Sequence, residues 1–367
     1  MSNYISKGKK VMVAMSGGVD SAVTAYLLKE EGYEVVGVTM QFMPANMVET
    51  ETETGCCGLS AVEDARRVCN LLDVPFYVMN FREIFRESVI NYFVDEYLRG
   101  RTPNPCIACN QVVKFDAFLN KAKALGFDYI ATGHYARLSY ESGVNRYVMH
   151  RAEDKVKDQT YVLYGLTQAQ ISRTLMPLGD YTKQKVRDTA QKIGLAVANK
   201  PESQDICFIP DNNYRSFIES SAGKTAEGPF LDMNGKTLGT HRGLPYYTIG
   251  QRKRLGINCG YPVYVVDIMP EENVVVLGKE EDLFSIGLYS GNNNFLSVEK
   301  LSGPIEVMAK IRYNTEPVPA FIRPDSDDAV KVIFNRPAKA VTPGQAVVFY
   351  QGDSVLGGGT CHRVIRD

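Results

Sequence analysis

The chain has 367 residues, 41 Lys and Arg against 42 Asp and Glu, and a formal net charge of −1, so at ~100–200 residues per domain it reads as two or three domains. A hydrophobic content of 44% with 23% charged residues excludes a disordered chain. A mean hydropathy of −0.18, with no run near the ~18 apolar residues a membrane helix needs, excludes helical membrane spans.

Elements alternate along the first half. Lys10 to Met15 predicts a short strand, Ala22 to Glu31 a helix, and Glu34 to Phe42 a strand carrying Val35, Val36 and Val38. Leu59 to Leu72 predicts a helix, Phe76 to Phe81 a strand, Ser88 to Arg99 and Lys114 to Leu125 two helices, and Tyr129 to Thr132 a strand. This order predicts an α/β fold with an open parallel sheet and helices on both faces. Near Cys207 the pattern changes. Turn signals at Asn234-Gly235, Gly239 and Gly243 separate β-branched runs such as Val263 to Ile268 and Val274 to Leu277. Beyond Gly287, runs at Ile305 to Ile311, Ala329 to Phe334 and Ala346 to Tyr350 predict a C-terminal β-barrel or sandwich. The boundaries expected are 1–205, a β-rich central domain at 206–281, and a barrel at 282–367. Glu49 to Thr54 is an acidic low-complexity patch with the composition of a loop.

Between the first strand and first helix lies Ser16-Gly17-Gly18-Val19-Asp20-Ser21. Two glycines let backbone amides approach an anion, and the helix N-terminus adds its dipole and unsatisfied N–H groups. No Gly-Lys-Ser/Thr follows, so this is not a Walker A loop. Its missing lysine points to a grip on pyrophosphate rather than γ-phosphoryl transfer. Asp20 beside a polyanion suits a Mg²⁺ ion.

Eight cysteines, at 56, 57, 69, 106, 109, 207, 259 and 361, are too sparse for a disulfide scaffold. The N-terminus has no signal-peptide pattern, so a reducing cytoplasm is expected. Cys69, Cys259 and Cys361 read as small buried hydrophobes. Cys56-Cys57 receives no role. Pro103 and Pro105 predict an extended approach to Cys109, which then sits near a helix start where the dipole favours its thiolate. Cys207 is the second candidate.

The loop resembles the PP-loop signature of ATP pyrophosphatases, the adenine nucleotide hydrolase-like fold, which activate an oxygen as an adenylate. Further blocks narrow the resemblance: Cys56-Cys57 before Glu63 to Arg67, Asn104 to Phe115, Ala131 to Arg137, Lys157 to Tyr161, Asp205 to Ile209, Tyr247 to Lys253, Arg312-Tyr313 and Thr342 to Gln345. In this order they are similar to bacterial tRNA-specific 2-thiouridylases, which replace O2 of wobble uridine 34 by sulfur. The resemblance implies that Ala14, Met15, Ser16, Gly17, Gly18, Val19, Asp20 and Ser21 bind ATP phosphates, with Met40 and Gly133 around the adenosine. It makes Cys207 the persulfide carrier and Cys109 the partner nucleophile, alternating between thiols and a disulfide. Asn104, Pro105 and Cys106 would touch the target base. Lys157, Asp158, Gln159, His134, Arg312, Tyr313 and Gln345 would contact tRNA at its anticodon loop, with Lys, Glu and Gln acceptors. A cysteine desulfurase or sulfur-relay protein would supply the persulfide.

Many family members carry Asp where this chain has Cys106, and a thiol of pKa ~8.5 is poorly suited to acid–base work at neutral pH. Cys106, Cys109 and Cys207 instead offer three thiolates, which leaves an iron–sulfur cluster or a zinc site open. An adenylating PP-loop transferase acting on a small molecule, and a nucleotide sensor without chemistry, stay open as well. His134 ends a parallel strand, where open α/β sheets bind ligands. Charge is segregated: Met233 to Val266 has no carboxylate but holds Lys236, Arg242, Arg252, Lys253 and Arg254, and a second basic run holds Lys183, Lys185, Arg187 and Lys192. Such stretches suit a phosphate-tracking surface.

Overall fold

The computed structural model describes residues 7–43, 58–200, 206–209, 211, 213–326 and 328–366. Cys56, Cys57, the acidic Glu49 to Thr54 patch and Ser203 to Asp205 lie outside them. Two units are formed: Met1–Val89 with Cys106–Asn212 and Asp353–Val355, and Ile90–Pro105 with Asn213–Gly352 and Leu356–Asp367.

In the first unit, β1 (Lys10–Ala14), α1 (Val19–Glu30), β2 (Glu34–Gln41), α2 (Leu59–Leu71), β3 (Phe76–Asn80), β4 (Tyr129–Ala131) and β7 (Thr174–Leu175) build the predicted parallel sheet, in the order β3-β2-β1-β4-β7. Val11, Met12 and Val13 of the central strand are all buried, as a strand covered on both faces requires. Ala22, Val23, Ala25 and Leu28 of α1 share a core with Ala65 and Val68 of α2 and with Val186 and Ala190 of a further helix, Lys183–Lys192. The hairpin β5 (Ala136–Glu141) and β6 (Arg146–Arg151) was not expected; its polar, half-exposed residues carry little hydrophobic pattern.

Two helical segments differ from expectation. Residues 82–98 are helical from Arg82 rather than Ser88. The second helix begins at Pro105, not Lys114, and runs through Cys109–Ala117 as a widened π-type stretch into Phe118–Ala124. Proline suits a first helical position because its φ is preset and its missing N–H would be unpaired there anyway. Cys106 and Cys109 therefore lie within the helix, one turn apart.

The second unit holds two sheets. β8 (Gly228–Asp232), β9 (Thr237–His241), β10 (Tyr264–Met269) and β11 (Val274–Gly278) form one, in the order β10-β11-β8-β9. The strands β12 (Phe284–Phe295), β13 (Ile305–Lys310), β14 (Val318–Pro324), β15 (Val330–Lys339), β16 (Ala346–Gln351) and β17 (Ser354–Ile365) run β12-β15-β14-β13-β16-β17, and pairing of β12 with β17 closes the barrel. Among the described residues no helix is long and apolar enough to cross a membrane.

Phe230 is fully buried and meets His241 and Tyr247 edge-on at 5.6 and 5.1 Å. His241 Nε2 donates to Asn273 O at 2.9 Å and Nδ1 accepts from the Gly243 amide at 3.0 Å, which fixes the neutral ring. Burial holds the imidazole below its ordinary pKa, partly offset by the Asn273 bond.

Truncating Phe230 to Ala should cost roughly 3–5 kcal/mol in urea unfolding, since a cavity opens beneath two other rings. The unfolded imidazole titrates near ~6.5 and the folded one lower, so this stabilisation is complete above that pH and is lost as pH falls through the folded value. Urea midpoints at pH 7.5 and pH 5 should differ, and by less in His241→Asn; an equal pH dependence would refute the assignment.

Candidate active site

The sheet's C-terminal ends open into a cavity lined by Ala14, Met15, Ser16, Asp20, Ser21, Met40, Phe42, Lys114, Thr132, Gly133, His134 and Gln159. Nine of these were expected at the nucleotide or tRNA sites; Phe42, Lys114 and Thr132 were not. Phe42 follows the end of β2, and Thr132 the end of β4, which is the ligand edge of an open α/β sheet. Val19 is a core residue, buried in the α1 packing.

The loop is preformed. Ser21 Oγ accepts from the Ser16 amide at 3.1 Å and donates to Gly18 O at 3.1 Å, and the two serine hydroxyls lie 3.2 Å apart. The glycines have different reasons. Gly17 has φ +69°, and a Cβ there would sit 2.3 Å from Ala61 O of α2. Gly18 is extended, at φ −103° and ψ 164°, and its added Cβ would meet only Ser16 Oγ, at 3.4 Å. The fold does not need glycine at position 18, whereas a ligand approaching its backbone does. Gly133 lets β4's end reach α1: a Cβ there would lie 2.9 Å from Asp20 C and Ser21 N.

Around the loop, charges are paired. Lys183 Nζ donates to both Asp20 oxygens, at 2.9 and 2.8 Å, and Tyr135 OH donates to Oδ1 at 2.7 Å. Lys200 Nζ donates to Asp64 Oδ2 at 2.7 Å and to Gly17 O at 3.3 Å. Sequence reasoning placed Lys183 on a nucleic-acid face and overlooked Lys200; no local signal pairs residues so far apart. Asp20 does not fit a protein-held magnesium ion, because an ammonium takes both its oxygens. Among the described residues no three His, Cys, Asp or Glu side chains converge as a metal requires. The three thiols therefore do not fit a shared cluster.

His134 Nδ1 lies 2.7 Å from Thr132 Oγ1, and its ring sits 5.6 Å from Phe115. Burial, then the charge of Lys114, holds its pKa well below the ordinary value, so the ring is neutral at pH 7. Gln159 Oε1 accepts from the Tyr135 amide at 2.9 Å. Lys157 is half-buried. Asp158 is buried, accepting from the Ala152 amide at 3.0 Å and Thr160 Oγ1 at 2.7 Å, so its carboxylate faces inward.

Neither Cys109 nor Cys207 lines the cavity. Cys109 is buried at the start of the π-type stretch and Cys106 is exposed. Next to Cys109, Asn110 Nδ2 donates to Val162 O at 2.9 Å while its buried Oδ1 has no hydrogen-bond partner among the described residues. Cys207, half-buried, sits in a turn closed by the Ile209 amide on Ile206 O at 2.9 Å. Phe208 anchors that turn edge-on against Phe85 at 5.8 Å, and Phe85 stacks at 4.9 Å on the cavity-lining Phe42. Burial pushes the Cys69 and Cys361 thiols up to about 12, the behaviour expected of buried apolar side chains; Cys259 is half-buried.

In the second unit, Arg312 Nη2 donates to Ile249 O at 3.2 Å and Thr342 Oγ1 at 2.7 Å, and also to Ala340 O. Tyr313 is exposed, with Lys310 Nζ 5.6 Å from its ring centre. Gln345 Nε2 donates to Thr102 O at 2.7 Å and the Thr102 amide to Pro343 O at 3.1 Å, which clasps the segment leading to the half-buried Asn104 and the buried Pro105.

Gly17→Ala should lose more than ~1 kcal/mol of stability, through both the clash and the positive φ. Gly18→Ala should keep the wild-type melting temperature but lose about tenfold in ATP affinity by titration calorimetry. Equal melting temperatures for both variants would contradict this division.

Residues 9–211 match the tRNA methyl transferase HUP domain family, 215–279 the tRNA methyl transferase PRC-barrel domain and 285–361 the aminomethyltransferase beta-barrel domain. The tRNA-specific 2-thiouridylase MnmA of Desulforamulus reducens is 56% identical over 360 residues, covering 98% of each chain. That of Carboxydothermus hydrogenoformans is 57% identical over 357 residues, covering 97% of this chain and 98% of the relative. That of Clostridioides difficile is 53% identical over 352 residues, covering 96% and 97%. Similarity at this level along nearly the whole length bears out the resemblance carried by the motifs: the chain belongs to the tRNA-specific 2-thiouridylase family.

Proposed function

We propose that the chain catalyses ATP-dependent 2-thiolation of wobble uridine 34 in tRNA, releasing AMP and pyrophosphate. The observation that carries this reading is the near full-length match to relatives bearing that activity's name. The preformed serine-glycine loop at the mouth of a parallel sheet supports it. The substrate is ATP as its magnesium complex, the metal entering on the phosphates.

Uridine O2 attacks the α-phosphorus, and pyrophosphate leaves toward the amides of Ser16 to Ser21. The oxygen, now a phosphate ester, can depart as AMP. A persulfide donor, such as a cysteine desulfurase or sulfur-relay protein, passes its terminal sulfur to the Cys207 thiolate and leaves as a thiolate. The terminal sulfur bonds C2 directly, AMP leaves, and the Cys109 thiolate then attacks Cys207 Sγ and releases the 2-thiouridine from its disulfide link; or the Cys109 thiolate attacks Cys207 Sγ first and the released hydrosulfide displaces AMP at C2. Either way a Cys109–Cys207 disulfide remains, and two external thiols, or one dithiol, return two electrons and are themselves oxidised to a disulfide. The neutral His134 suits a binding role better than charge neutralisation. Its position in the cavity wall with Gln159 supports contacts to the bound nucleoside. Asn104, Pro105 and Cys106 are assigned to the target base. Lys157, Arg312, Tyr313 and Gln345 are assigned to tRNA, with Arg312 and Gln345 acting by holding their own segments. Residues 1–205 would carry the nucleotide chemistry and 206–281 and 282–367 the RNA, in a cytoplasmic enzyme. Flipping the base costs a few kcal/mol, least in a single-stranded loop.

Pure protein with ATP, Mg²⁺, a persulfide source and unmodified tRNA should give a tRNA band retarded on a mercury-containing gel. Cys109→Ser and Cys207→Ser should each abolish the retardation. Persistence of the band in both variants would overturn the assignment.

A further inference from the structure

The nucleotide loop has no lysine of its own, yet the fold delivers one to its edge. Lys183 is the first residue of its helix, 163 positions from Asp20. Its backbone is fixed at both sides. The amide donates to Asp154 Oδ2 at 2.9 Å, and Thr182 caps the helix by accepting from the Lys185 amide. Asp154 Oδ1 also accepts the Val156 and Lys157 amides, at 3.1 and 3.2 Å, so the helix start is tied to the loop that brings Gln159 to the cavity. Only the lysine side chain is left to move. Its Nζ lies on Asp20, a cavity-lining residue in the first turn of α1, with 11% of the lysine side chain and 30% of the aspartate side chain exposed.

A purely structural ion pair would explain the contact. It does not explain its place. A buried pair is weak evidence of stability, because desolvation offsets the attraction. This pair stands at the loop toward which the proposed pyrophosphate departs, and the loop itself offers a polyanion backbone amides and serine hydroxyls but no cation. Asp20, a lining residue held also by Tyr135 OH, fixes the ammonium beside the cavity.

We propose that Lys183 is a phosphate-binding residue of the reaction, which neutralises the β- and γ-phosphates of ATP and then the leaving pyrophosphate, and that Asp20 is the positioning residue that holds it ready. This rests on the ATP reading of the cavity. Lys183 takes no part in bond making; it offsets the charge that develops on the leaving oxygen.

The test is calorimetric binding of ATP, pyrophosphate and AMP to the full chain in EDTA, which separates the lysine from any metal. Lys183→Met should weaken ATP and pyrophosphate at least tenfold and leave AMP unchanged, and Lys183→Arg should recover most of the loss. The double variant Asp20→Asn with Lys183→Met, which leaves neither charge unpaired, should stay as weak as Lys183→Met and guards against a folding defect. Unchanged ATP binding in Lys183→Met, an equal loss of AMP, or recovery in the double variant would each overturn the proposal. Failure of the wild type to bind ATP would instead overturn the reading of the cavity.

Discussion

Two backbones touch beside the nucleotide loop, and much of the site depends on that contact. No side chain fits between Gly17 and Ala61 O, so α2 lies directly against the turn that ends β1. Asp64, one helical turn beyond Ala61, is thereby close enough to hold Lys200 on Gly17 O. Gly133 does the same from β4, bringing His134 and Thr132 to the start of α1. The loop is wedged between two neighbours, and its hydroxyl bonds are satisfied internally. Its geometry is set before any ligand arrives, which is the condition for electrostatic help without reorganisation.

The site was readable wherever chemistry is local in sequence. Ser16 to Ser21 lies between a buried apolar strand and a largely buried helix, and each neighbour is encoded within a few residues. The parallel sheet followed from buried β-branched runs such as Val11 to Val13. What stayed hidden is long-range. Nothing near Lys183 says that its partner is Asp20, because an exposed basic helix and a helix anchored by one ion pair share the same composition. Pro105 misled for another reason: proline reads equally as extended chain or as a first helical residue, and tertiary packing decides. Asp158 and Arg312 show the limit of polarity as a guide. Both are charged, and both turn to backbone groups or hydroxyls inside the fold.

The two halves of the proposed chemistry rest on different kinds of structure. Adenylation is assigned to the sheet end, where strands, helix starts and glycine contacts leave little freedom. Sulfur handling is assigned to the π-type stretch at Cys109 and to a short turn at Cys207 pinned by Phe208. In the proposed chemistry the two thiols must meet and separate, and they sit on an irregular helix and in a short turn rather than in a strand. Cys69 and Cys361, locked in apolar cores, offer the contrast.

The clasp between Thr102 and Gln345 joins residues 243 positions apart. A ribosome releases the chain from the N-terminus, so the parallel sheet and its loop can assemble while the barrel is still unmade. The segment leading into the helix of Cys106 and Cys109 has no Pro343 or Gln345 to bind until translation is nearly over. The nucleotide loop is thus available early and the segment around Thr102 is secured late, so a chain that ends prematurely carries the loop without a fixed approach to its thiols.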